Sequence, residues 1–145
     1  MPIPERQLDL LLVEDNAGDV RLVKEALREC RVPLRLTVAQ NGEEAIDVLY
    51  RRGPHESAPR PDLILLDLNL PRKSGHEVLK DIKQHEDLQT IPVVIVSSAS
   101  SPAEIDKAYR LSANCYVQKP VSLDDTMQAI EDICRFWFQR VTLPM

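Results

Sequence analysis

The chain has 145 residues, of which 43% are hydrophobic and 28% charged, a composition that fits one globular domain with a single core. The formal net charge is −5, which argues against a nucleic-acid partner, because a nucleic-acid-binding face needs clustered Lys and Arg. The three cysteines are far apart and form no CxxC pair, so we expect reduced thiols. The sequence has no apolar run of membrane-span length and no signal peptide, so we expect a cytoplasmic protein without a membrane partner.

Five short runs rich in Val, Ile and Leu predict β-strands, at residues 8–13, 35–39, 62–67, 92–97 and 114–117. Between the runs, apolar residues recur at three- and four-residue spacing, which predicts a helix after each strand. The fifth helix is predicted to begin after Ser122, because Asp125 stands three positions on, as in a capping box. Apolar strands that alternate with helices indicate an α/β fold in which helices cover both faces of a parallel sheet. For a chain of this size, right-handed crossovers favour the flavodoxin-like arrangement of five parallel strands.

Polar residues at the C-terminal ends of four predicted strands form the most informative pattern in the chain: Glu14, Asp15, Asp67, Ser97 and Lys119. In a parallel α/β sheet these ends converge on one crevice. Taken singly, each residue is better explained as the start of a loop, a surface turn or a helix cap. Their shared position favours a single site.

The residue types at these strand ends suit phosphoryl chemistry. Three carboxylates close together repel one another unless a cation lies among them, and Mg²⁺ prefers such hard oxygen ligands. Asp67 is the candidate nucleophile, since a carboxylate can form an aspartyl phosphate. Lys119 would supply a positive charge to the phosphoryl group, and the Ser97 hydroxyl would supply a hydrogen bond.

The chain resembles the receiver domain of two-component response regulators, on the motifs VEDN at 13–16, LILLDLNLPRKSG at 63–75, VVIVSSA at 93–99 and YVQKP at 116–120. The resemblance implies a CheY-like fold. We expect the receiver domain to occupy residues 8–138, with an extended or disordered N-terminus at 1–7. Residues 139–145 would form a C-terminal extension that is a possible dimer arm.

The resemblance also implies a role for individual residues at the metal site. Asp67 matches the phosphoacceptor, and Asp15 matches a direct Mg²⁺ ligand. Glu14 would act on the metal mainly through a bound water. Asn69 matches the position whose backbone carbonyl completes the metal site.

Further matched residues belong to the switch that reports phosphorylation. Ser97 matches the switch hydroxyl, Lys119 the lysine that pairs with the phosphoryl group, and Tyr116 the switch aromatic. Phosphorylation would draw Ser97 toward the phosphoryl group and move Tyr116 inward. The resemblance implies in addition that the Lys119–Pro120 peptide bond is cis.

Three consecutive aromatic residues, Phe136, Trp137 and Phe138, precede the C-terminus. A helix buries only one stripe, so these side chains cannot all face one core. Either one or two of them are simply exposed, or they form an interface for a partner. Together with ANCYVQKPV, the FWF…VTLP tail resembles the stand-alone regulators of phytochrome-type histidine kinases, which implies a homodimer.

The predicted function is a stand-alone receiver, not an enzyme, that accepts a phosphoryl group on Asp67 from a histidine kinase and signals by protein–protein contact. Two alternatives stay open. One is a receiver-fold adaptor that works by dimer contacts without phosphate. The other is a metal-dependent phosphatase with Asp67 as nucleophile; against it, Asn69 stands where a second carboxylate would supply general acid–base catalysis.

Overall fold

The computed structural model describes residues 7–144, in which five strands and five α-helices alternate along the chain. These elements are β1 (Leu8–Val13), α1 (Ala17–Glu29), β2 (Leu34–Ala39), α2 (Gly42–Leu49), β3 (Leu63–Leu66), α3 (Gly75–Gln84), β4 (Val93–Ser97), α4 (Pro102–Arg110), β5 (Cys115–Gln118) and α5 (Leu123–Arg135). Each predicted strand agrees with the structure to within one residue at either end. Except for Gln7, the predicted N-terminal segment at 1–7 lies outside the described residues.

All five strands pair in parallel, in the order β2-β1-β3-β4-β5. This is the strand order of the flavodoxin-like fold, so the predicted fold class is confirmed. Strand β1 lies between β2 and β3, so the chain continues from β1 to one side of the sheet and from β2 to the other. A crevice opens above the strand ends at such a switch point. The site predicted from the sequence lies at this edge.

The sheet separates two apolar layers, because successive side chains of a strand point to opposite faces. In β1, Leu10 and Leu12 pack with the buried residues of α1 and α5, whereas Leu11 and Val13 pack with those of α2, α3 and α4. The central strands β1, β3 and β4 are almost wholly buried, and the edge strands β2 and β5 are half-buried. Glu14, Asp67 and Ser97 therefore stand at the ends of buried central strands, whereas Lys119 follows the half-buried edge strand β5.

Side-chain caps fix where the helices around the crevice begin. The Asn16 side chain accepts a hydrogen bond from the Asp19 N–H at the start of α1, at 3.0 Å. Ser122 accepts one from the Asp125 N–H at 3.0 Å, so the predicted start of α5 is confirmed. Both caps satisfy an N–H that would otherwise lack a partner at a helix N-terminus.

The C-terminal segment departs from a simple α-helix. After α5 the chain makes a π-helical turn at Phe136–Arg140, closed by a hydrogen bond from the Val141 N–H to the Phe136 carbonyl at 3.0 Å. Within the described part of the predicted extension, residues 139–144, there is no strand. Leu143 instead packs against the layer formed with α1 and α5.

The three aromatic residues of this turn have different surroundings. Phe138 is buried at 3% exposure, Trp137 is half-buried, and Phe136 is 55% exposed with its ring edge-on to that of Trp137. The sequence argument that one core cannot take all three is confirmed. The exposed aromatic surface is smaller than a patch of three rings, because Phe138 belongs to the core.

The three thiols are free, with Cys30 and Cys134 buried and Cys115 half-buried. Over residues 7–144, no helix combines the length and the apolar character needed to cross a membrane.

Candidate functional site

The Lys119 ammonium group lies at the centre of the crevice, where it contacts three carboxylates. Its Nζ donates to Glu14 Oε1 at 2.7 Å, to Asp19 Oδ2 at 2.9 Å and to Asp67 Oδ2 at 3.1 Å. The side chains of Glu14 and Asp67 are 4% and 9% exposed, whereas that of Asp19 is 32% exposed. The sequence prediction that strand-end residues more than a hundred positions apart meet in one site is supported by this geometry.

Main-chain hydrogen bonds hold three of these residues in register. The Glu14 N–H donates to the Ala39 carbonyl at 2.9 Å, and the Asp67 N–H donates to the Val13 carbonyl at 3.1 Å. The Lys119 N–H donates to the Ser97 carbonyl at 2.8 Å. Each residue therefore extends the parallel ladder by one position past its strand, which brings the side chains to the same edge.

The Asp67 carboxylate is held by both of its oxygens. Oδ2 accepts from Lys119, and Oδ1 accepts from the Asn69 backbone N–H at 3.1 Å. The start of α3 closes over this strand end: a Cβ on Gly75 would overlap the Asp67 carbonyl oxygen, so only glycine permits this approach. The nucleophile predicted from the sequence thus has a fixed orientation.

The carboxylates fit a divalent cation. One oxygen each from Glu14, Asp15 and Asp67 can be chosen so that all three lie within 4.8 Å of one another, and Asp15 is exposed to solvent. Hard oxygen ligands of this kind suit a divalent cation that keeps several bound waters. The role of the Asn69 backbone carbonyl as a metal ligand stays a prediction.

Burial and neighbouring charges shift the pKa values of two groups in the crevice. Burial raises the pKa of Glu14 to about 7; the hydrogen bond from Lys119 opposes this shift, and the negative charge of Asp67 adds to it. Burial lowers the pKa of Lys119, but its bonds to Glu14 and Asp19 outweigh burial and leave that pKa above its ordinary value. The ammonium group stays charged, and this one positive charge is shared by the carboxyl groups of Glu14, Asp19 and Asp67.

Ser97 and Tyr116 meet beside the loop that follows β4. Ser97 is fully buried, and its Oγ accepts a hydrogen bond from the Ala99 N–H at 3.3 Å. The Tyr116 hydroxyl donates to the Ala99 carbonyl at 2.7 Å, and the half-buried ring packs against the core layer of α2, α3 and α4. The Tyr116 ring is thus partly inside the fold in this structure, and its inward shift on phosphorylation stays a prediction.

The predicted cis bond before Pro120 is wrong, because residues 7–144 contain no cis peptide bond. Trans is the preferred form of an X–Pro bond by about 0.5–1 kcal/mol. In the trans form, Lys119 still reaches all three carboxylates, and the Pro120 carbonyl accepts from the Thr126 hydroxyl at 3.2 Å. No contact of the site therefore requires the less stable isomer.

Asp19 is the site residue that the sequence prediction missed. It does not follow a strand, so the strand-end pattern could not include it. The available signal was Asn16, a favoured N-cap residue directly after β1, which places Asp19 in the first turn of α1. A first turn that begins at the crevice brings its acidic side chain to the same edge.

Comparisons with known proteins agree with this geometry. A family model described as the response regulator receiver domain matches residues 10–131, the span that holds every residue of the crevice. Response regulator Rcp1 of Synechocystis sp. is 43% identical over 135 residues, which cover 93% of this chain and 92% of Rcp1.

Two solved structures are similar along nearly the whole chain. The Mn²⁺-bound form of Rcp1 has a TM-score of 0.92 at 42% identity, over 95% of this chain and 99% of that one. The phosphorylated cyanobacterial phytochrome response regulator RcpA has a TM-score of 0.94 at 42% identity, over 97% of this chain and 100% of that one. The resemblance inferred from the sequence motifs is confirmed: this chain belongs to the response regulator receiver domain family.

Proposed function

We propose that Asp67 accepts a phosphoryl group from a phosphorylated histidine of a histidine kinase, and that the protein passes the signal on by protein contact. The observation that carries this proposal is the Lys119 ammonium group between Glu14 and Asp67 at the crevice. An oxygen of the Asp67 carboxylate would attack phosphorus while the phosphorus–nitrogen bond to the donor breaks. Catalysis of such a transfer consists largely of positioning and charge neutralisation.

The residues of the crevice divide this work between them. Lys119 would donate to a phosphoryl oxygen, and the Ser97 hydroxyl would donate to another. Glu14, Asp15 and Asp67 would hold Mg²⁺, with the Asn69 backbone carbonyl as a further ligand. Bound there, Mg²⁺ would neutralise negative charge on the phosphoryl group.

The phosphorylated state would be reported through Ser97 and Tyr116. A phosphoryl group carries roughly −1.5 to −2 charges at neutral pH and would draw the Ser97 hydroxyl toward it. Because Tyr116 donates to the Ala99 carbonyl, two residues after Ser97, a shift of Ser97 would bias the position of this loop and ring. The surfaces of α4, β5 and α5 would then present a changed face to a partner.

The expected kinase is of the phytochrome type, and the support is similarity to RcpA, a phytochrome response regulator that has been solved in phosphorylated form. A homodimer that uses the C-terminal segment stays a prediction; its anchors would be Phe136 and the accessible part of Trp137, since Phe138 is buried. We propose further a cytoplasmic protein with no catalytic turnover beyond its own phosphorylation and slow dephosphorylation.

Labelling with a small acyl phosphate in the presence of Mg²⁺ tests this proposal. We expect intact-mass analysis to show one added phosphoryl group on the wild type and none on Asp67→Asn, a nearly isosteric change. Asp124→Asn removes a carboxylate outside the crevice and is the matched control; it should label like the wild type. Equal labelling of Asp67→Asn would refute the assignment of the phosphoacceptor.

The same experiment separates the two alternatives. An adaptor that works without phosphate would show no labelling of the wild type, although its dimer would persist. A phosphatase would release inorganic phosphate from an exogenous phosphate ester in many turnovers.

A further inference from the structure

Asp19 is the most exposed of the three carboxylates that contact Lys119. It is in the first turn of α1, and Asn16 fixes its position by accepting a hydrogen bond from its N–H. Its Oδ2 lies 2.9 Å from Lys119 Nζ, closer than the Asp67 oxygen at 3.1 Å. The predicted phosphoacceptor and a helix residue therefore contact the same ammonium group.

Lys119 has no donor left for another anion. An ammonium group has three N–H donors, and Glu14, Asp19 and Asp67 each accept one of them. A phosphoryl group on Asp67 needs the same positive charge. Lys119 can donate to a phosphoryl oxygen only if one of its present contacts lengthens or breaks.

The three carboxylates differ in how readily they can give up the ammonium group. The Glu14 side chain is 4% exposed, and an ionised buried carboxylate without a partner is strongly unfavourable. Asp67 loses its own charge when it is phosphorylated, but the phosphoryl group carries roughly −1.5 to −2 charges and needs more of the ammonium group than one carboxylate oxygen did. Asp19 is 32% exposed, and water can replace Lys119 as its partner.

We propose that Asp19 is a positioning residue that competes with the phosphoryl group for Lys119. In the unphosphorylated site it holds the ammonium group beside Asp67. When a phosphoryl group arrives, the negative charge of Asp19 opposes the added anion. The affinity of the site for a phosphoryl group is therefore lower than it would be with Lys119 and no Asp19. This inference rests on the proposed function and adds to it a residue that tunes the equilibrium between the two states.

Beryllofluoride, a stable mimic of the phosphoryl group, tests the competition without turnover. The full chain is titrated with beryllofluoride at saturating Mg²⁺, and the dissociation constant is measured by calorimetry. Asp19→Asn keeps the shape and removes the charge, and we expect binding on the order of tenfold tighter. Asp19→Ser should act in the same direction, so the test does not depend on the folding of one variant.

Two further variants distinguish competition from a structural effect. Asp125→Asn changes the charge of the corresponding first-turn position of α5, where the Asp N–H is also capped, and it should bind like the wild type. Asp19→Glu restores the charge and should return the affinity most of the way to the wild-type value. Thermal unfolding of each variant confirms that it is folded.

The outcomes separate the inference from the proposed function. Unchanged or weaker binding by Asp19→Asn and Asp19→Ser, or equal binding by Asp19→Glu and Asp19→Asn, overturns the competition. No binding by the wild type under conditions of saturating Mg²⁺ overturns the proposed function, and the competition with it.

Discussion

Neutralising Glu14 should stabilise the metal-free protein, although it removes a charge that contacts Lys119. The Glu14 pKa is about 7 in the folded protein, against an ordinary value of 4.5, so the folded state binds the Glu14 proton more tightly than the unfolded chain does. The stability from this group is therefore fully present below about pH 4.5 and is lost as the pH rises through about 7. Glu14→Gln mimics the protonated form and does not undergo this loss.

The size of the effect follows from the shift. The difference between a pKa of about 7 in the folded protein and 4.5 in the unfolded chain corresponds to roughly 3 kcal/mol. Glu14→Gln should therefore raise the free energy of unfolding by up to about 3 kcal/mol near pH 8 and by under about 1 kcal/mol near pH 5. The gain requires that the amide oxygen introduced by the substitution still accepts the hydrogen bond from Lys119, as the Glu14 Oε1 does.

Urea unfolding of both proteins in a chelating buffer, at the two pH values, measures this difference. Added Mg²⁺ should stabilise the wild type more than Glu14→Gln, because a bound cation neutralises the carboxylate that the variant lacks. A variant that is no more stable than the wild type near pH 8, or that gains equally at both pH values, would show that burial does not control this carboxylate.

Two further predictions concern the aromatic turn and the start of α3. Phe138→Ala should lower the free energy of unfolding by about 3–5 kcal/mol. Phe136→Ala should leave stability nearly unchanged while weakening the predicted dimer. Urea unfolding measures the stability of both variants, and light scattering over a concentration series measures the dimer. An unaltered dimer would argue against an interface at Phe136. Gly75→Ala should destabilise the protein by about 1–3 kcal/mol and reduce labelling of Asp67, because the added Cβ would overlap the Asp67 carbonyl oxygen. Gly18→Ala, whose Cβ meets only the Asn16 side chain at 3.1 Å, is the control, and equal losses in both variants would contradict the argument from close approach.

The fold and the strand-end residues were predictable because both follow from local patterns. Alternation of apolar strands with helices limits the topology, and parallel strand ends must share an edge. The position of a residue within the following helix is harder to predict. Asp19 reaches Lys119 only because α1 begins at Asn16 and turns its third residue toward the crevice, which depends on the angle at which the helix leaves the sheet.

The C-terminal segment shows a second feature that the spacing of apolar residues in the sequence does not predict. Treated as one α-helix, the chain from Met127 onward places Trp137 on the core-facing stripe. The π-helical turn adds a residue to the last turn, and Phe138 becomes the buried aromatic. The spacing of apolar residues contains no signal for this change, because it does not include the packing of Phe138 against the layer formed with α1 and α5.

The ladder bonds at the strand ends divide the crevice into fixed and adjustable parts. Glu14, Asp67 and Lys119 each have a main-chain N–H bonded to the neighbouring strand, so a shift of their backbones would cost that hydrogen bond. Asp19 and Asn69 lie outside that ladder, on a helix and a loop. An engineer who wishes to change the lifetime of the phosphorylated state, but to keep the phosphorylation reaction, should therefore vary Asp19 and Asn69. Glu14, Asp67 and Lys119 should stay unchanged.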